Sequence, residues 1–297
     1  MAGEDAASTT QRFGAHLSIA GGVHRALEAA GALGCDCVQI FVKNRLQWSA
    51  APLNPVDVRR WHELRRRSGV RPVIAHATYL ANLASPDPVL WRRSVKAFTE
   101  EIGRCAVLRI RQLVIHPGSH RGAGREAGVK RVTRALDEIC KKTADSGVRI
   151  LLETTAGQGH GLGGRFEDLA DIIDRAKHPR RLGVCLDTCH LFAAGYELRT
   201  PAGYEQTMTA LDEQIGLSRV ACIHVNDAKH RLGSRADRHE HIGQGKLGLR
   251  AFRLLVNDAR LAGVPKILET PKGRDARGRD LDEVNLARLR RLVKQAD

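Results

Sequence analysis

The sequence predicts a single-domain α/β protein that folds as a closed (β/α)8 barrel. Short β-rich runs alternate with longer amphipathic stretches, and eight such strand–helix units can be counted in 297 residues. No linker, low-complexity tract or change in composition divides the chain. Alternation of this kind implies a parallel sheet with helices outside it. Eight units in a chain of this length fit a closed barrel better than an open doubly wound sheet.

The predicted strands are short apolar runs, and the predicted helices have apolar residues at i, i+3 and i+4 spacing. The strands are Phe13–Leu17, Cys37–Val42, Pro72–His76, Gln112–His116, Arg149–Glu153, Gly183–Asp187, Val220–Val225 and Lys266–Glu269. The helices are Val23–Leu33, Val56–Ser68, Val89–Val107, Gly128–Ser146, Phe166–Ala176, Tyr204–Gly216, Leu249–Leu261 and Leu281–Val293. Glycine follows or ends several of them, as it commonly does.

Residues 13–297 are predicted to form the barrel domain, and residues 1–12 a flexible polar leader. The leader lacks the apolar core of an export signal, and no run approaches the roughly 20 apolar residues of a membrane span. The seven cysteines are an odd number in mostly apolar or helical surroundings, which indicates reduced thiols. None has the paired C-x-x-C spacing of a structural zinc site. We therefore expect a cytoplasmic protein without membrane contact.

The formal net charge of +15 favours a phosphate-rich partner such as nucleic acid. The alternative is that an arginine-rich composition produces the charge without a function. Aromatic residues make up only 4% of the chain, which argues against a platform for stacking single-stranded bases.

Six successive predicted strands bring a histidine or a carboxylate to the same end of the barrel. The residues are His76, His116, Glu153, Asp187, His224 and Glu269, and His190 follows Asp187 by three positions. These positions lie at the C-terminal rim of a (β/α)8 barrel, where such enzymes build their active sites. A single histidine at a strand end is often a hydrogen-bonded core residue, but convergence of so many groups favours a metal site.

The longest irregular segment, residues 226–248, adds Asp237 and His239, which point to the same side of an extended chain. Nine such side chains include carboxylates that would repel one another unless cations lay among them. Imidazole and carboxylate ligands without cysteine suit zinc or manganese. Nine ligands exceed what one or two tetrahedral ions require, whereas three ions fit if at least one carboxylate bridges.

Seven stretches of the sequence closely resemble the endonuclease IV family of zinc-dependent apurinic/apyrimidinic endonucleases in base excision repair. They are G-A-H-L-S-I-A-G-G (14–22), H-P-G-S-H (116–120), E-T-T-A-G-Q-G (153–159), D-T-C-H-L-F-A-A-G-Y (187–196), H-V-N-D-A-K (224–229), S-R-A-D-R-H-E-H-I-G-Q-G (234–245) and I-L-E-T-P (267–271). The resemblance runs from about Phe13 to Pro271, and it implies a TIM barrel with three zinc ions.

The resemblance also implies how the nine ligands are divided. His76, His116 and Glu153 would hold the first zinc. Glu153 would bridge to a second zinc that Asp187, His224 and Glu269 also hold. His190, Asp237 and His239 would hold the third, so the turn after the sixth strand would supply two neighbouring ions. Mn²⁺ is an alternative at one or more of these sites.

The substrate implied by the resemblance is duplex DNA that contains abasic sites. The enzyme would cut the phosphodiester 5′ to the lesion, leaving a 3′-hydroxyl and a 5′-deoxyribose phosphate, and would also trim blocked 3′ ends. Glu153 would orient or deprotonate the nucleophile. The residues expected to contact DNA are Arg45, Leu46, Tyr79, Lys229 and Arg238, and we expect the enzyme to act as a monomer.

Three positions depart from the family pattern. Leu46 stands where relatives can have arginine, in a loop that is expected to enter the DNA, and an apolar side chain there could wedge into a base step. Thr154 stands where asparagine is common, and Gln244 where glutamate is common. Neither of these two is a predicted ligand.

Two other functions remain open from the sequence. Sugar isomerases and epimerases of the xylose isomerase group also collect acids and histidines around one or two divalent ions. The Asp237–His239 pair and the basic charge argue against that function. A non-catalytic DNA-binding protein is the other alternative, but electrostatic binding would need none of the convergent ligands.

Overall fold

The computed structural model describes residues 11–294 and confirms the predicted (β/α)8 barrel. Its eight parallel strands are β1 Phe13–Leu17, β2 Cys37–Phe41, β3 Val73–His76, β4 Gln112–Ile115, β5 Arg149–Glu153, β6 Leu182–Asp187, β7 Val220–His224 and β10 Lys266–Leu268. They close in the order β1-β10-β7-β6-β5-β4-β3-β2. Two further strands, β8 Asp227–Ala228 and β9 His239–Glu240, form a small antiparallel pair outside the barrel.

The helices surround the barrel. They are α1 His24–Ala32, α2 Pro55–Arg67, α3 Pro88–Val107, α4 Arg125–Lys142, α5 Phe166–Arg175, α6 Thr188–Ala194, α7 Pro201–Gln214, α8 Gly248–Val256 and α9 Leu281–Leu292. Short 3-10 turns at Ala144–Ser146, Pro179–Arg181, Leu217–Arg219 and Ala259–Leu261 follow helices or precede strands. In the described part of the chain, no helix has the length and apolar character needed to cross a bilayer.

Five helices, α2, α3, α4, α7 and α8, begin earlier than apolar spacing predicts. In α2, α3 and α7, polar caps and prolines set the first turn. Asn54, Asp87 and Thr200 are the N-cap residues of α2, α3 and α7, and each side chain accepts a backbone N–H bond. Proline follows each cap, where its fixed φ suits the first helical position and its missing N–H costs nothing.

Two segments contain elements of secondary structure that the sequence did not predict. The residues after β6 form the short helix α6 rather than a simple turn. The side chain of Asp187 caps it by accepting a 2.8 Å hydrogen bond from the His190 backbone N–H. The predicted irregular segment 226–248 contains the β8–β9 pair, which brings Asp227 opposite Glu240. Both segments are too short for periodicity to reveal them.

Strand register brings the functional ends of neighbouring strands level with one another. Phe41 pairs with His76, and Asp187 pairs with His224. His116 and Glu269 each follow directly after the last residue of their strand. All of these residues therefore face the C-terminal rim.

The core has two layers, as closed barrels require. Small and medium side chains fill the inside of the barrel: Cys37, Ile74, Val114, Leu151, Cys185, Ala221, Cys222 and Ile267. A larger layer, with Trp61 and Phe98 among its fully buried members, lies between strands and helices. All seven cysteines are buried and none is in a disulfide.

The predicted leader falls mostly outside the described residues. Of residues 1–12, the structure describes Gln11 and Arg12. The Arg12 carbonyl accepts a 2.9 Å hydrogen bond from the Lys266 backbone N–H, at the start of β10.

Gly14 shows how closely β1 and β2 approach. A Cβ atom at this position would lie 1.9 Å from the Cys37 carbonyl oxygen. We expect Gly14→Ala to lower the free energy of unfolding by about 1–3 kcal/mol or more, since the strands must separate to admit the methyl group. Urea denaturation measures this change.

Gly103→Ala is the matched control. Gly103 is an exposed residue of α3, and an added Cβ there would meet nothing within 4 Å. Alanine should stabilise the helix by roughly 0.5–1 kcal/mol. Equal stability of the two variants would contradict the close strand approach.

Candidate metal centre

Eight of the nine predicted ligands lie in three overlapping groups at the C-terminal rim. Within each group, one nitrogen or oxygen per side chain lies within 4.8 Å of every other. The groups are His76, His116 and Glu153; then Glu153, Asp187, His224 and Glu269; then Asp187, His190 and His239. Glu153 and Asp187 each belong to two groups, so both carboxylates are placed to bridge.

The first group is built on β3, β4 and β5. Glu153 Oε2 lies 3.0 Å from His76 Nε2 and 3.1 Å from His116 Nε2. His76 Nδ1 lies 2.7 Å from the Ala77 carbonyl oxygen, which can only accept, so Nδ1 carries the proton. Nε2 therefore is the ring nitrogen that faces the carboxylate, and it is the atom that can offer a lone pair to a cation.

The second group uses the opposite nitrogen of a histidine. His224 Nε2 donates to Gln39 Oε1 at 2.9 Å. Nδ1 is left facing Glu153 Oε1 at 3.0 Å and Glu269 Oε2 at 3.3 Å. Asp187 Oδ2 lies 3.9 Å from the same nitrogen. All the groups that face Nδ1 are therefore acceptors.

The third group repeats the pattern of the first. His190 Nδ1 donates to the Thr154 carbonyl at 2.8 Å, and His239 Nδ1 donates to the Glu269 carbonyl at 3.1 Å. Both Nε2 atoms are buried, and neither makes a hydrogen bond of good geometry within residues 11–294. Asp237, the ninth predicted ligand, is 41% exposed and places Oδ1 3.1 Å from His190 Nε2 and 3.4 Å from His239 Nε2.

These donor atoms fit divalent cations. Buried lone pairs that face carboxylate oxygens repel one another unless a proton or a cation lies between them. Backbone and amide acceptors fix the tautomer of four of these imidazoles, as they commonly do for metal-binding histidines. Nitrogen and oxygen donors of this kind suit zinc or manganese.

The arrangement changes the pKa values of its members. Burial lowers the pKa of His190 and His224, but nearby carboxylates outweigh burial and raise both pKa values well above the usual range. Burial opposes ionisation of Glu153, yet His116 and His224 bring its pKa well below normal. The pKa of Asp237 falls to about 2, against burial, through its contact with His190. Glu153 and Asp237 therefore stay ionised and attract positive charge.

Sequence reasoning missed two amides that orient the ligands. Gln39, fully buried on β2, donates to Glu269 Oε1 at 2.6 Å in addition to its contact with His224. Asn226 donates to Asp187 Oδ2 at 2.7 Å and accepts from the Glu269 backbone N–H at 2.8 Å. An amide inside an apolar strand is the sequence signal that could have revealed Gln39.

His16 and Thr154 also support the site without belonging to the three groups. His16 Nδ1 lies 3.0 Å from Glu269 Oε1. Thr154 Oγ1 accepts a 2.9 Å hydrogen bond from the Asp187 backbone N–H. Thr154 therefore fixes the end of β6.

Asp227 anchors the loop that carries Asp237 and His239. Its side chain accepts hydrogen bonds from the backbone N–H groups of Gly243 and Leu247, each at 2.9 Å. Gly245 is needed beside it, because a Cβ there would lie 2.4 Å from Asp227 Oδ1. These bonds hold residues 243–247, the last part of the 226–248 segment, against the residues that follow β7.

A fourth close group, Cys185, Cys222 and His224, lies inside the barrel. The two cysteines precede Asp187 and His224 by two positions on their strands, so they lie one inward-facing layer below the rim. The sequence did not predict this group.

Comparison with known proteins identifies the family. The family model for the xylose isomerase-like TIM barrel matches residues 27–292. The probable endonuclease 4 of Chloroflexus aurantiacus is 49% identical over 286 residues, 96% of this chain and 99% of that relative. The endonuclease IV structure from Thermus thermophilus has a TM-score of 0.81 at 39% identity, covering 95% and 98% of the two chains. This chain belongs to the endonuclease IV family. It is a nuclease.

Sugar epimerases resemble this endonuclease IV family member in fold. The D-psicose 3-epimerase from Clostridium cellulolyticum H10 matches with a TM-score of 0.66 at 15% identity, over 95% of this chain and 99% of that one. The resemblance in fold that left an isomerase as an alternative from the sequence is therefore confirmed.

The residues predicted to contact DNA lie around the site at the rim. Leu46 is 71% exposed, and Tyr79 is 53% exposed with its ring packed on Phe41 and His76. Arg45 is exposed beside Leu46 and lines a cleft of about 540 Å³ that reaches His16.

Lys229 and Arg238 are exposed on the β8–β9 side of the site. The Lys229 backbone N–H donates to the Arg238 carbonyl at 3.0 Å. Gln244, the third departure from the family pattern, lies in the same loop and joins none of the three ligand groups.

Gln39→Met tests the role of the buried amide. Methionine fills a similar volume but cannot hold the His224 tautomer or the Glu269 carboxylate. We expect metal affinity to fall about 10–100-fold, as it does when groups behind metal ligands are removed. Competition with a chromogenic chelator measures the affinity.

Gln112→Met makes the same exchange at the opposite end of the barrel, where Gln112 begins β4. This control should retain the metal affinity of the unaltered protein. Identical affinities in the two variants would rule out the role assigned to Gln39.

Proposed function

We propose that this endonuclease IV family member is a DNA-repair enzyme that cuts duplex DNA at abasic sites. It hydrolyses the phosphodiester 5′ to the lesion and leaves a 3′-hydroxyl and a 5′-deoxyribose phosphate. It also removes blocking groups from 3′ ends. The observation that carries the proposal is the set of three overlapping ligand groups joined by Glu153 and Asp187.

The residues divide among three zinc ions, with Mn²⁺ as an alternative at one or more positions. His76, His116 and Glu153 hold the first ion. Glu153, Asp187, His224 and Glu269 hold the second. His190, His239 and Asp237 hold the third, and Asp187 Oδ2, 3.6 Å from His239 Nε2, is close enough to serve this ion as well.

When bound, Zn²⁺ supplies Lewis acidity, which makes hydroxide available near neutral pH and neutralises charge developing on the phosphoryl oxygens. Glu153 is the catalytic residue of the chain itself. Its two oxygens point to different groups, Oε2 to His76 and His116 and Oε1 to His224. A carboxylate in this central place can orient the attacking water and accept its proton.

The rim surface suits a damaged duplex. The charge of +15 attracts the phosphate backbone, and Arg45, Lys229 and Arg238 are placed to contact it. Tyr79 lies beside His76 and His116, and Leu46 presents an exposed apolar side chain on the loop after β2. An abasic nucleotide is poorly stacked, so bending the duplex and turning that nucleotide out costs less than for an intact base. The enzyme acts as a monomer.

Metal content separates this function from a sugar isomerase. We expect about three zinc ions per chain, because three ligand groups are present, whereas an isomerase would hold one or two divalent ions. Inductively coupled plasma mass spectrometry measures the content.

Removal of all metal should abolish incision of a duplex with one abasic analogue, and added Zn²⁺ should restore it. A plasmid-nicking assay on depurinated DNA measures incision. Full activity after complete metal removal would refute the proposal, and DNA binding without incision by the zinc-loaded protein would favour a non-catalytic DNA-binding role.

Glu153→Gln tests the catalytic carboxylate. The amide cannot accept the proton of the nucleophile and is a poorer bridging ligand, so incision should fall by at least about 100-fold. DNA binding, measured by fluorescence anisotropy, should remain within about threefold because the rim contacts are unchanged. Retained incision by this variant would contradict the role of Glu153.

A further inference from the structure

Two loops at the rim share one buried carboxylate. The 43–50 loop carries Leu46, and the 77–82 loop carries Tyr79. Glu101 of α3, only 1% exposed, contacts both loops from below. Its Oε1 lies 3.0 Å from Lys43 Nζ, and it accepts hydrogen bonds from the backbone N–H and the hydroxyl of Thr78, each at 3.1 Å.

Helix α3 also holds both ends of the 43–50 loop. Lys43 Nζ donates to the Trp48 carbonyl at 2.9 Å, so the lysine side chain joins the start of the loop to a residue near its end. Arg104 donates to the Val42 carbonyl at 2.6 Å and to the Ala51 carbonyl at 2.8 Å. The Arg93 guanidinium lies 4.3 Å from the centre of the Trp48 ring.

The tip of the loop is a separate turn. Asn44 Oδ1 accepts from the Leu46 backbone N–H at 3.0 Å, and the Gln47 backbone N–H donates to the Asn44 carbonyl at 3.1 Å. The base of the loop is therefore fixed on α3, while the turn projects Arg45 and Leu46 outwards.

A buried ion pair is a weak reason for stability, since an apolar pair of similar volume often serves as well or better. A pair of this kind can instead fix one arrangement of the segments it joins. Here those segments are the two that bear the exposed apolar tips. No contact in the described network runs from Lys43 or Glu101 to a predicted metal ligand.

We propose that Glu101 is a positioning residue that, together with Lys43, sets Leu46 and Tyr79 in a fixed relative geometry so that both engage the same lesion. The inference rests on the proposed function. Holding both tips in place before binding removes the entropy cost of ordering two loops on the DNA. It also favours a poorly stacked nucleotide over an intact base pair, because both apolar groups must enter the duplex together.

The test replaces the ion pair without leaving a buried charge. The variant Lys43→Met/Glu101→Leu removes the contacts to Trp48 and Thr78 and keeps the site apolar. We expect KM for a duplex with one abasic analogue to rise about 10-fold while kcat stays within about twofold, because the ligands are untouched. Preference for abasic over undamaged duplex in binding should fall about 10-fold.

Lys96→Met/Glu100→Leu is the matched control. It makes the same two exchanges on an exposed pair of the same helix, whose charged atoms lie 4.0 Å apart. Its KM, kcat and preference should equal those of the unaltered enzyme. Hydrogen exchange should become faster in residues 43–50 and 77–82 of the first variant only, and zinc content should be equal in both.

Unchanged KM and preference in the folded first variant would overturn the inference, as would a fall in kcat at constant KM. If that variant does not fold, Arg93→Ala is the second test. It removes only the contact between the Arg93 guanidinium and the Trp48 ring, which helps to hold the 43–50 loop on α3. It should raise KM about threefold, and an unchanged KM would overturn the inference. If the unaltered enzyme does not incise abasic DNA, the proposed function itself is refuted.

Discussion

The site depends on one electrostatic constraint, namely that imidazole lone pairs and ionised carboxylates face one another in a space largely closed to water. Glu153 lies at the centre, with His76, His116 and His224 within 3.1 Å of its oxygens. Carbonyls and an amide fix the tautomers so that the lone pairs of His76, His190, His224 and His239 point inward. Such a cluster is stable only with positive charge among its members, supplied by cations or by protons on the histidines, and its donor atoms suit cations.

The parallel barrel makes this convergence possible from distant parts of the chain. Strand register puts Asp187 beside His224, although the two residues are far apart in sequence. The strand ends were therefore predictable from the sequence: a short apolar run that stops on histidine or a carboxylate recurs six times, and the fold brings such ends together. The family motifs predict how the nine residues divide among three ions, and that division stays a prediction.

Other parts of the site could not be predicted in this way. Gln39 shows only as a polar residue in an apolar strand, and its partners His224 and Glu269 lie far along the chain. Glu101 belongs to a long helix with many charges, where a solvated face is the usual outcome, and only tertiary packing reveals its burial. Asp187 belongs to the third ligand group because the β8–β9 loop brings His239 to it. Hydrogen bonds to Asp227, rather than any local pattern, fix the path of that loop.

The cap of α6 has a consequence for how the chain can vary. Asp187 both ends β6 and begins the helix, and His190 follows within the first helical turn. The helical rise, about 1.5 Å per residue, therefore sets the spacing between the carboxylate and the imidazole. Inserting or deleting one residue there would rotate His190 by about 100° around the helix axis. A change of length at this junction would therefore turn the imidazole away from the other ligands.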